Sequence, residues 1–250
     1  MKRFVIFNSR NKKLVCDHYI TPSGAIIILV HGFTGDRHEE GRFDTFAQTF
    51  HGTGFNVITF DFGGSGESDD DSLTIQKETD DLLSIIQYVK SKGYNQIGLL
   101  GHSLGGLISL RCYSTDIKAM VLTAPVTAPV LYNWREKYLP DQVRECENKG
   151  YITFYKEKGI RKEIIIDKRI LEEREEVNQA GLLENVDCPV LIIHGNKDVS
   201  VPYTDSVAAI KYLSADSKLE IINEAEHSYN AHLDMFTQLA ASWFSVYLDK

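Results

Sequence analysis

The sequence has no basic excess. Its 250 residues carry 27 Lys and Arg against 35 Asp and Glu, a formal charge of −8, and no stretch gathers the basic side chains into a stripe. That balance speaks against a phosphate-binding surface, so nucleic acid is not an expected partner. Long apolar runs are missing too. The longest, Ala25 to Val30, has six residues, whereas a membrane-crossing helix needs about 20. The basic start Met1-Lys2-Arg3 is followed by only four apolar residues, short of the roughly 7–15 of a secretion signal. A cytoplasmic protein without a membrane span is expected. Cysteine is scarce: Cys16, Cys112, Cys146 and Cys188 lie far apart, with no CxxC pair and no histidine at zinc-ligand spacing. They read as free thiols, with Cys112 and Cys188 expected in buried packing. Neither internal repeats nor low-complexity tracts occur, and no metal or cofactor is implied.

What is present is a globular composition, 43% hydrophobic and 10% aromatic, enough to bury a sizeable core. Phe4–Asn8 and Leu14–Ile20 predict an opening hairpin. Ala25–His31, Phe55–Phe60, Gln96–Gly101, Lys118–Thr123, Pro189–His194 and Lys218–Ile222 are short, nearly continuous apolar runs of the kind found in strands covered on both faces. Helical spacing fills the gaps at Arg42–Phe50, Thr74–Lys92, Leu104–Tyr113, Tyr203–Leu213 and Leu233–Leu248. Strand and helix in alternation predict an α/β protein: an open sheet of about eight mostly parallel strands, flanked by helices on both faces.

Residues 126–182 break the rhythm, with 22 charges in 57 residues. They are expected to form an inserted cap (lid) subdomain on a core made of residues 1–125 and 183–250. A hairpin is expected from Tyr151–Glu157 and Lys162–Asp167, followed by a charged helix at Arg169–Val177. The acidic run Ser68–Ser72 is expected to be a solvated loop.

The chemistry begins at Gly101-His102-Ser103-Leu104-Gly105-Gly106, set between a strand and a helix. A Gly-x-Ser-x-Gly turn there must be sharp, and it pushes the serine hydroxyl out above the sheet. The helix that follows aims its first N–H groups at the same spot, so Leu104 N–H is a candidate oxyanion donor. A serine hydroxyl is a poor nucleophile without a base and an orienting acid. Asp198 lies in the loop after a late strand, and His227 in the loop after the last one. His31-Gly32-Phe33 follows the Ala25–Val30 strand and offers Phe33 N–H as the second donor.

On these stretches the chain resembles the α/β-hydrolase superfamily over essentially its whole length. Gly101–Gly106 is similar to its nucleophile elbow, His31-Gly32-Phe33 to its oxyanion loop, and Asp198 and His227 to its acid and base. Within the superfamily it is most similar to small cinnamoyl or feruloyl esterases, on His31–Gly35, Asp61–Ser68, Gly101–Gly106 and His227–His232. The resemblance implies a serine carboxylesterase with the triad Ser103, Asp198 and His227, an acyl-enzyme intermediate, no cofactor, and a rate that rises as His227 loses its proton. Soluble short-chain or aryl esters are the expected substrates. A monoacylglycerol lipase, a peptidase of the proline-iminopeptidase type anchoring an amine on Glu172, Glu173, Glu175 or Glu176, and a slow-turnover ligand receptor are the alternatives. The expected partner is thus a small-molecule ester, with a homodimer as the alternative to a monomer.

Other residues have quieter roles. His31 is expected to brace the oxyanion loop; His102 and His194 to pack; His232 is a rival base. Asp61 with Gly63-Gly64-Ser65-Gly66 lacks the last glycine of a dinucleotide loop, so it reads as a turn. Of the cap aromatics Tyr132, Trp134, Tyr138, Tyr151, Phe154 and Tyr155, Trp134 and Tyr138 are taken as candidate substrate contacts.

Overall fold

In the computed structural model, which describes residues 1–129 and 133–249, the six-residue run Ala25–Val30 becomes strand β3, buried at every position. Side chains alternate across a strand, so one run feeds two layers. Ile26, Ile28 and Val30 join the core on one face of the sheet, and Ala25, Ile27 and Leu29 the core on the other. Burying an Ile or Leu stabilises the fold by about 1.5–3 kcal/mol. This is why continuous apolar runs, and not alternating ones, mark the central strands.

The sheet also contains β1 (Lys2–Phe7), β2 (Lys13–Tyr19), β4 (Asn56–Phe60), β6 (Gln96–His102), β7 (Ile117–Thr123), β10 (Val190–Gly195) and β11 (Lys218–Ile222). The eight strands run in the order β1-β2-β4-β3-β6-β7-β10-β11. β2 is antiparallel to both β1 and β4, and every pair from β4 to β11 is parallel. The mostly parallel eight-stranded sheet expected from the sequence is thus present. Helices α1 (Arg42–Gly52) and α9 (Leu233–Tyr247) cover one face through Phe43, Phe46, Phe50, Phe236 and Phe244. Helices α2 (Ile75–Ser91) and α3 (Leu104–Arg111) cover the other through Leu82, Ile85, Val89 and Leu107. The helix expected at Tyr203–Leu213 is α8 (Tyr203–Ala209), which tightens into a 3₁₀ turn at Ile210–Tyr212.

Between β7 and β10 stand α4 (Trp134–Lys137), α5 (Pro140–Lys149), β8 (Tyr151–Tyr155), β9 (Glu163–Asp167), α6 (Lys168–Glu175) and α7 (Gln179–Leu183). The hairpin and the charged helix match expectation; α4, α5 and α7 do not appear in it. Pro140 at the first position of α5 was the available signal, since proline is preorganised for a helix start. The hairpin does not stand alone. β5 (Ser72–Leu73) pairs with β9 in parallel, giving a separate three-stranded sheet β5-β9-β8.

That pairing corrects in part the reading of Ser68–Ser72 as a solvated loop: Ser72 is in a strand and Ser68 is buried, while Asp70 stays exposed. Asp71 receives Arg10 at 3.2 Å and Lys77 at 2.6 Å, and Asp69 accepts the Lys13 N–H at 2.7 Å. Arg161, in the turn between β8 and β9, reaches Asp70 and the carbonyls of Gly66 and Ser68. The acids are therefore spent on ion pairs between segments far apart in the chain. Asp61 is also buried, and it binds the Arg37 N–H at 2.7 Å and the Arg37 guanidinium, which Asp17 also holds at 2.8 Å. The Asp61–Ser68 stretch is thus a turn locked by a buried cation. All four cysteines are free and buried, and burial pushes the Cys112 and Cys188 thiols up to about 12. As neutral thiols they serve packing.

Candidate active site

Parallel strands point their carboxyl ends the same way, so the loops after β3, β6, β10 and β11 converge on one side of the sheet. Ser103 sits between β6 and α3 with φ 53° and ψ −117°, a backbone conformation costly for any residue with a Cβ. The surroundings enforce it. Ser103 N–H donates to Thr123 O at 2.9 Å, and its carbonyl accepts from Gly106 and Val126, both at 3.0 Å. Glycine is required at 101 and 105 because the backbones touch. A Cβ on Gly101 would stand 2.5 Å from Gly105 O, and one on Gly105 would run into Val30 O.

His227 and Asp198 meet at this serine. The loops carrying them are joined by Asn196 N to Ile222 O at 3.1 Å and Lys197 N to Ala225 O at 3.0 Å. His227 Nε2 lies 3.0 Å from Ser103 Oγ, and its Nδ1 lies 2.7 Å from Asp198 Oδ2. The Asp198 carboxylate is fully buried. Burial alone would raise its pKa, yet hydrogen bonds from His194 and His227 and from the Val201 N–H outweigh that and hold it well below the carboxylate range. A fixed anion behind an imidazole sets its tautomer, with the proton on Nδ1 and the Nε2 lone pair facing the hydroxyl. Such an array can take a proton from the serine and return it to a leaving group.

The loop after β3 faces the same hydroxyl. His31 accepts the Phe62 N–H on Nε2 at 3.3 Å, so its Nδ1 carries the proton and donates to Gly32 O at 2.9 Å. His31 therefore braces the loop, as expected. Two residues without a sequence motif complete it. Glu39, buried and at φ 45°, accepts the Gly32 N–H at 2.6 Å and is paired with Arg42 at 2.8 Å. Phe33 follows in that fixed turn, its ring under the Arg174 guanidinium at 5.2 Å. Leu104 opens α3, where the first N–H groups have no acceptor within the helix.

A cleft of about 370 Å³ opens over Ser103, between the 32–42 loop and the β8–β9 turn. Phe33, Phe154 and Tyr155 supply its aromatic surface, and Glu40, Lys156, Glu157 and Lys158, with Asp36, Glu39 and Arg42 of the loop after β3, its charges. The Lys156 ammonium donates to Thr34 O and the Ile160 N–H to Asp36 at 3.4 Å, so that turn rests on the loop after β3. The structure does not bring Trp134 and Tyr138 to this cleft: neither is among the described residues lining it. Trp134 is buried in the apolar core, its ring 6.4 Å from that of Tyr138 and capped by Arg135. Tyr132 lies outside the described residues. His232 closes the 3₁₀ turn before α9, and the imidazole at Ser103 is that of His227. Glu172 is tied to Lys168 at 3.0 Å, and Glu173 accepts the Ile75 N–H at 2.8 Å.

His102 packs as expected, with Nδ1 3.1 Å from Thr123 O and its ring 5.0 Å from that of His227. Burial pushes its pKa down to about 3. The folded state holds this imidazole neutral, while the unfolded chain protonates it below about 6.5. Stability conferred by the neutral buried ring is thus fully present above pH 6.5 and is lost as pH falls toward 3. Between pH 7 and pH 4 the loss should reach about 3 kcal/mol. Denaturant unfolding at the two pH values checks this, and His102→Asn should flatten the dependence.

The chain belongs to the family described as serine aminopeptidase, S33, whose model matches residues 21–232. It is an α/β-hydrolase. It is similar to the uncharacterized 31.7 kDa protein in the traX-finO intergenic region of Escherichia coli, 27% identical over 89% of this chain and 91% of that one. It is also 30% identical to the human mitochondrial palmitoyl-protein thioesterase ABHD10, over 73% of this chain and 60% of that protein. Among solved structures, Est1E from Butyrivibrio proteoclasticus with bound ferulic acid superimposes with a TM-score of 0.78, at 23% identity, covering 98% of each chain. Among the described residues, no helix is long and apolar enough to cross a membrane.

Proposed function

We propose that the protein is a serine carboxylesterase acting through an acyl-enzyme, with Ser103 as nucleophile, His227 as general base and acid, and Asp198 as the anion that orients it. The single observation that carries this reading is the unbroken chain from Ser103 Oγ through His227 to the buried Asp198, at 3.0 and 2.7 Å. Ser103 attacks the ester carbonyl as His227 takes its proton, and the N–H groups of Phe33 and Leu104 hold the oxyanion. The alcohol leaves with the proton from His227, and water repeats the sequence on the acyl-enzyme. Residues 126–182 act as the cap, with the β8–β9 turn forming one wall of the cleft.

Soluble short-chain or aryl esters are the substrates the cleft favours. Its volume suits a small acyl group, its aromatic residues suit a flat one, and the likeness to Est1E with ferulic acid supports the second. A panel of p-nitrophenyl esters from acetate to palmitate, with methyl ferulate, tests this. Rates should be highest on acetate, butyrate or ferulate. Rates that climb to palmitate would replace the reading with a lipase or a long-chain thioesterase. The family description favours one second reading, an aminopeptidase, for which Glu40 or Glu157 in the cleft would hold the substrate amine. Turnover of alanine or proline p-nitroanilide above that of every ester would establish it.

Glu39 gives a further expectation. Without its carboxylate the Gly32 N–H loses its acceptor and Arg42 its ion-pair partner, so the turn that sets the Phe33 N–H is held only at Gly32 O, by His31 and Gly35, and can shift; displacement of about 1 Å at a reacting centre costs roughly 10²-fold in rate. Glu39→Ala should therefore lower kcat by about that factor with KM nearly unchanged, as read by initial rates on p-nitrophenyl acetate.

A further inference from the structure

Asp198 has two imidazole partners. Its Oδ1 accepts the backbone N–H groups of Ser200 at 2.8 Å and Val201 at 2.9 Å. Its Oδ2 accepts His227 Nδ1 at 2.7 Å and also lies 3.0 Å from His194 Nε2. The same His194 nitrogen is 3.1 Å from Val201 O, another acceptor. An atom between two acceptors must carry the proton, so His194 Nε2–H donates. Its Nδ1 then accepts the hydroxyl proton of Ser206, at 2.8 Å on α8. His194 and Ser206 are both fully buried, so water does not substitute for either bond.

We infer that His194 is a positioning residue that shares Asp198 Oδ2 with His227, so that the array over Ser103 has five members: Ser103, His227, Asp198, His194 and Ser206. Four donors fill the four lone-pair directions of the carboxylate. This fixes its plane, and with it the imidazole ring of His227. The second imidazole also draws charge from Oδ2, so His227 faces a weaker acceptor than a singly bonded carboxylate would be. Removing it concentrates the anion on His227 and favours the imidazolium, which moves the acid limb of the reaction upward. A doubly protonated His194 would give the same sign, because its loss would remove a cation. The other ionisable groups around the array are His102 beside His227, Glu39 and Arg42 behind His102, and Asp205 next to Ser206 on α8.

The inference rests on the serine-hydrolase reading above, so its tests do not depend on finding the right ester. The first uses the unaltered protein with ¹⁵N-labelled histidine and ¹³C-labelled aspartate. His194 should carry its proton on Nε2 and show coupling across the hydrogen bond to Asp198; a proton on Nδ1 alone would overturn the inference whatever the enzyme hydrolyses. The second is the pH profile of Ser103 phosphorylation by diisopropyl fluorophosphate, with fluoride as the leaving group. His194→Leu should move the acid limb up by about half a pH unit, a roughly threefold change in the protonation equilibrium. His194→Gln, whose amide N–H can stand in for Nε2–H, should keep the limb at the parent position. If His194 served packing alone, both variants would lose rate or stability with the limb unmoved. Should the Leu variant not fold, His194→Phe, which fills the same space without a donor, takes its place with the same expected shift, and the tautomer still decides whether the bond to Asp198 exists. A protein that reacts with no ester but shows the Nε2 tautomer would cost the proposed reaction and leave this assignment standing.

Discussion

Ser103→Ala is expected to lower kcat on p-nitrophenyl acetate by about 10⁶-fold, the loss found when a triad nucleophile is removed. The residual rate should stand about 10³–10⁴-fold above the reaction in water, since the cleft and the proposed oxyanion donors Phe33 and Leu104 remain. The variant should fold. Ser103 is held at φ 53° by bonds from its own backbone to Thr123, Gly106 and Val126, and alanine leaves those bonds and the strain unchanged. Only the 3.0 Å contact to His227 disappears. Thermal midpoints of the two proteins should therefore agree to within a few degrees, and the burst of p-nitrophenol from acylation should be absent from the variant. A variant retaining a tenth of the parent rate would remove Ser103 from the chemistry.

Asp198→Asn should be the next most damaging change, lowering kcat by about 10⁴-fold. The carboxylate accepts four hydrogen bonds, two on each oxygen. An asparagine amide keeps one accepting oxygen and presents an NH₂ to the other pair of donors. If the oxygen stays with Ser200 and Val201, the NH₂ faces His227 Nδ1 and forces that nitrogen to accept. The proton then moves to Nε2, which points at Ser103 Oγ and can no longer take its proton. His194 keeps only Val201 O, at 3.1 Å, and its Nε2–H then faces the amide NH₂, donor against donor in a buried place, at a cost of about 1–3 kcal/mol. The thermal midpoint should thus fall by several degrees, where Ser103→Ala leaves it nearly in place. The pair of variants separates loss of the nucleophile from loss of the orienting anion. An Asp198→Asn protein within tenfold of the parent rate would show that His227 does not depend on this acid.

Much of the fold was legible because its signals are local. Six nearly continuous apolar runs became strands, five of them buried on both faces and the sixth, Lys218–Ile222, a largely exposed strand at the sheet edge, and the stretches between them had the spacing of one-sided helices. The serine turn was legible for the same reason: a strand, two flanking glycines and a helix stand in one continuous stretch, Gln96 to Arg111. Asp198 and His227 followed from position, each in a loop after a late strand. The short helices α4, α5 and α7 were harder to read. α4 and α7 are little more than one turn, and α5, nearly three turns long, buries only Cys146, so none repeats an apolar stripe, and tertiary contacts stabilise them more than their own sequence does. The acidic run Ser68–Ser72 misled because its partners Arg10, Lys77 and Arg161 are up to 91 residues away.

The choice of Trp134 and Tyr138 as substrate contacts shows where composition stops being informative. An aromatic side chain packs equally well in a pocket wall or in a small core, and the difference is one of direction. In the fold Trp134 faces inward, and Phe154 and Tyr155 on β8 line the cleft instead.

By itself the sequence determined the strands of the central sheet, the mostly parallel direction that strand–helix alternation enforces, and the sharp turn that exposes Ser103, because each depends on contacts within a few residues or on a repeating pattern. Tertiary structure alone decided which groups hold the site in place. Glu39 under Gly32, Arg37 between Asp17 and Asp61, and His194 on Asp198 are single polar contacts made in buried places. No period or motif announces such a contact, since its strength comes from the exclusion of water, and that exists only once the layers have closed.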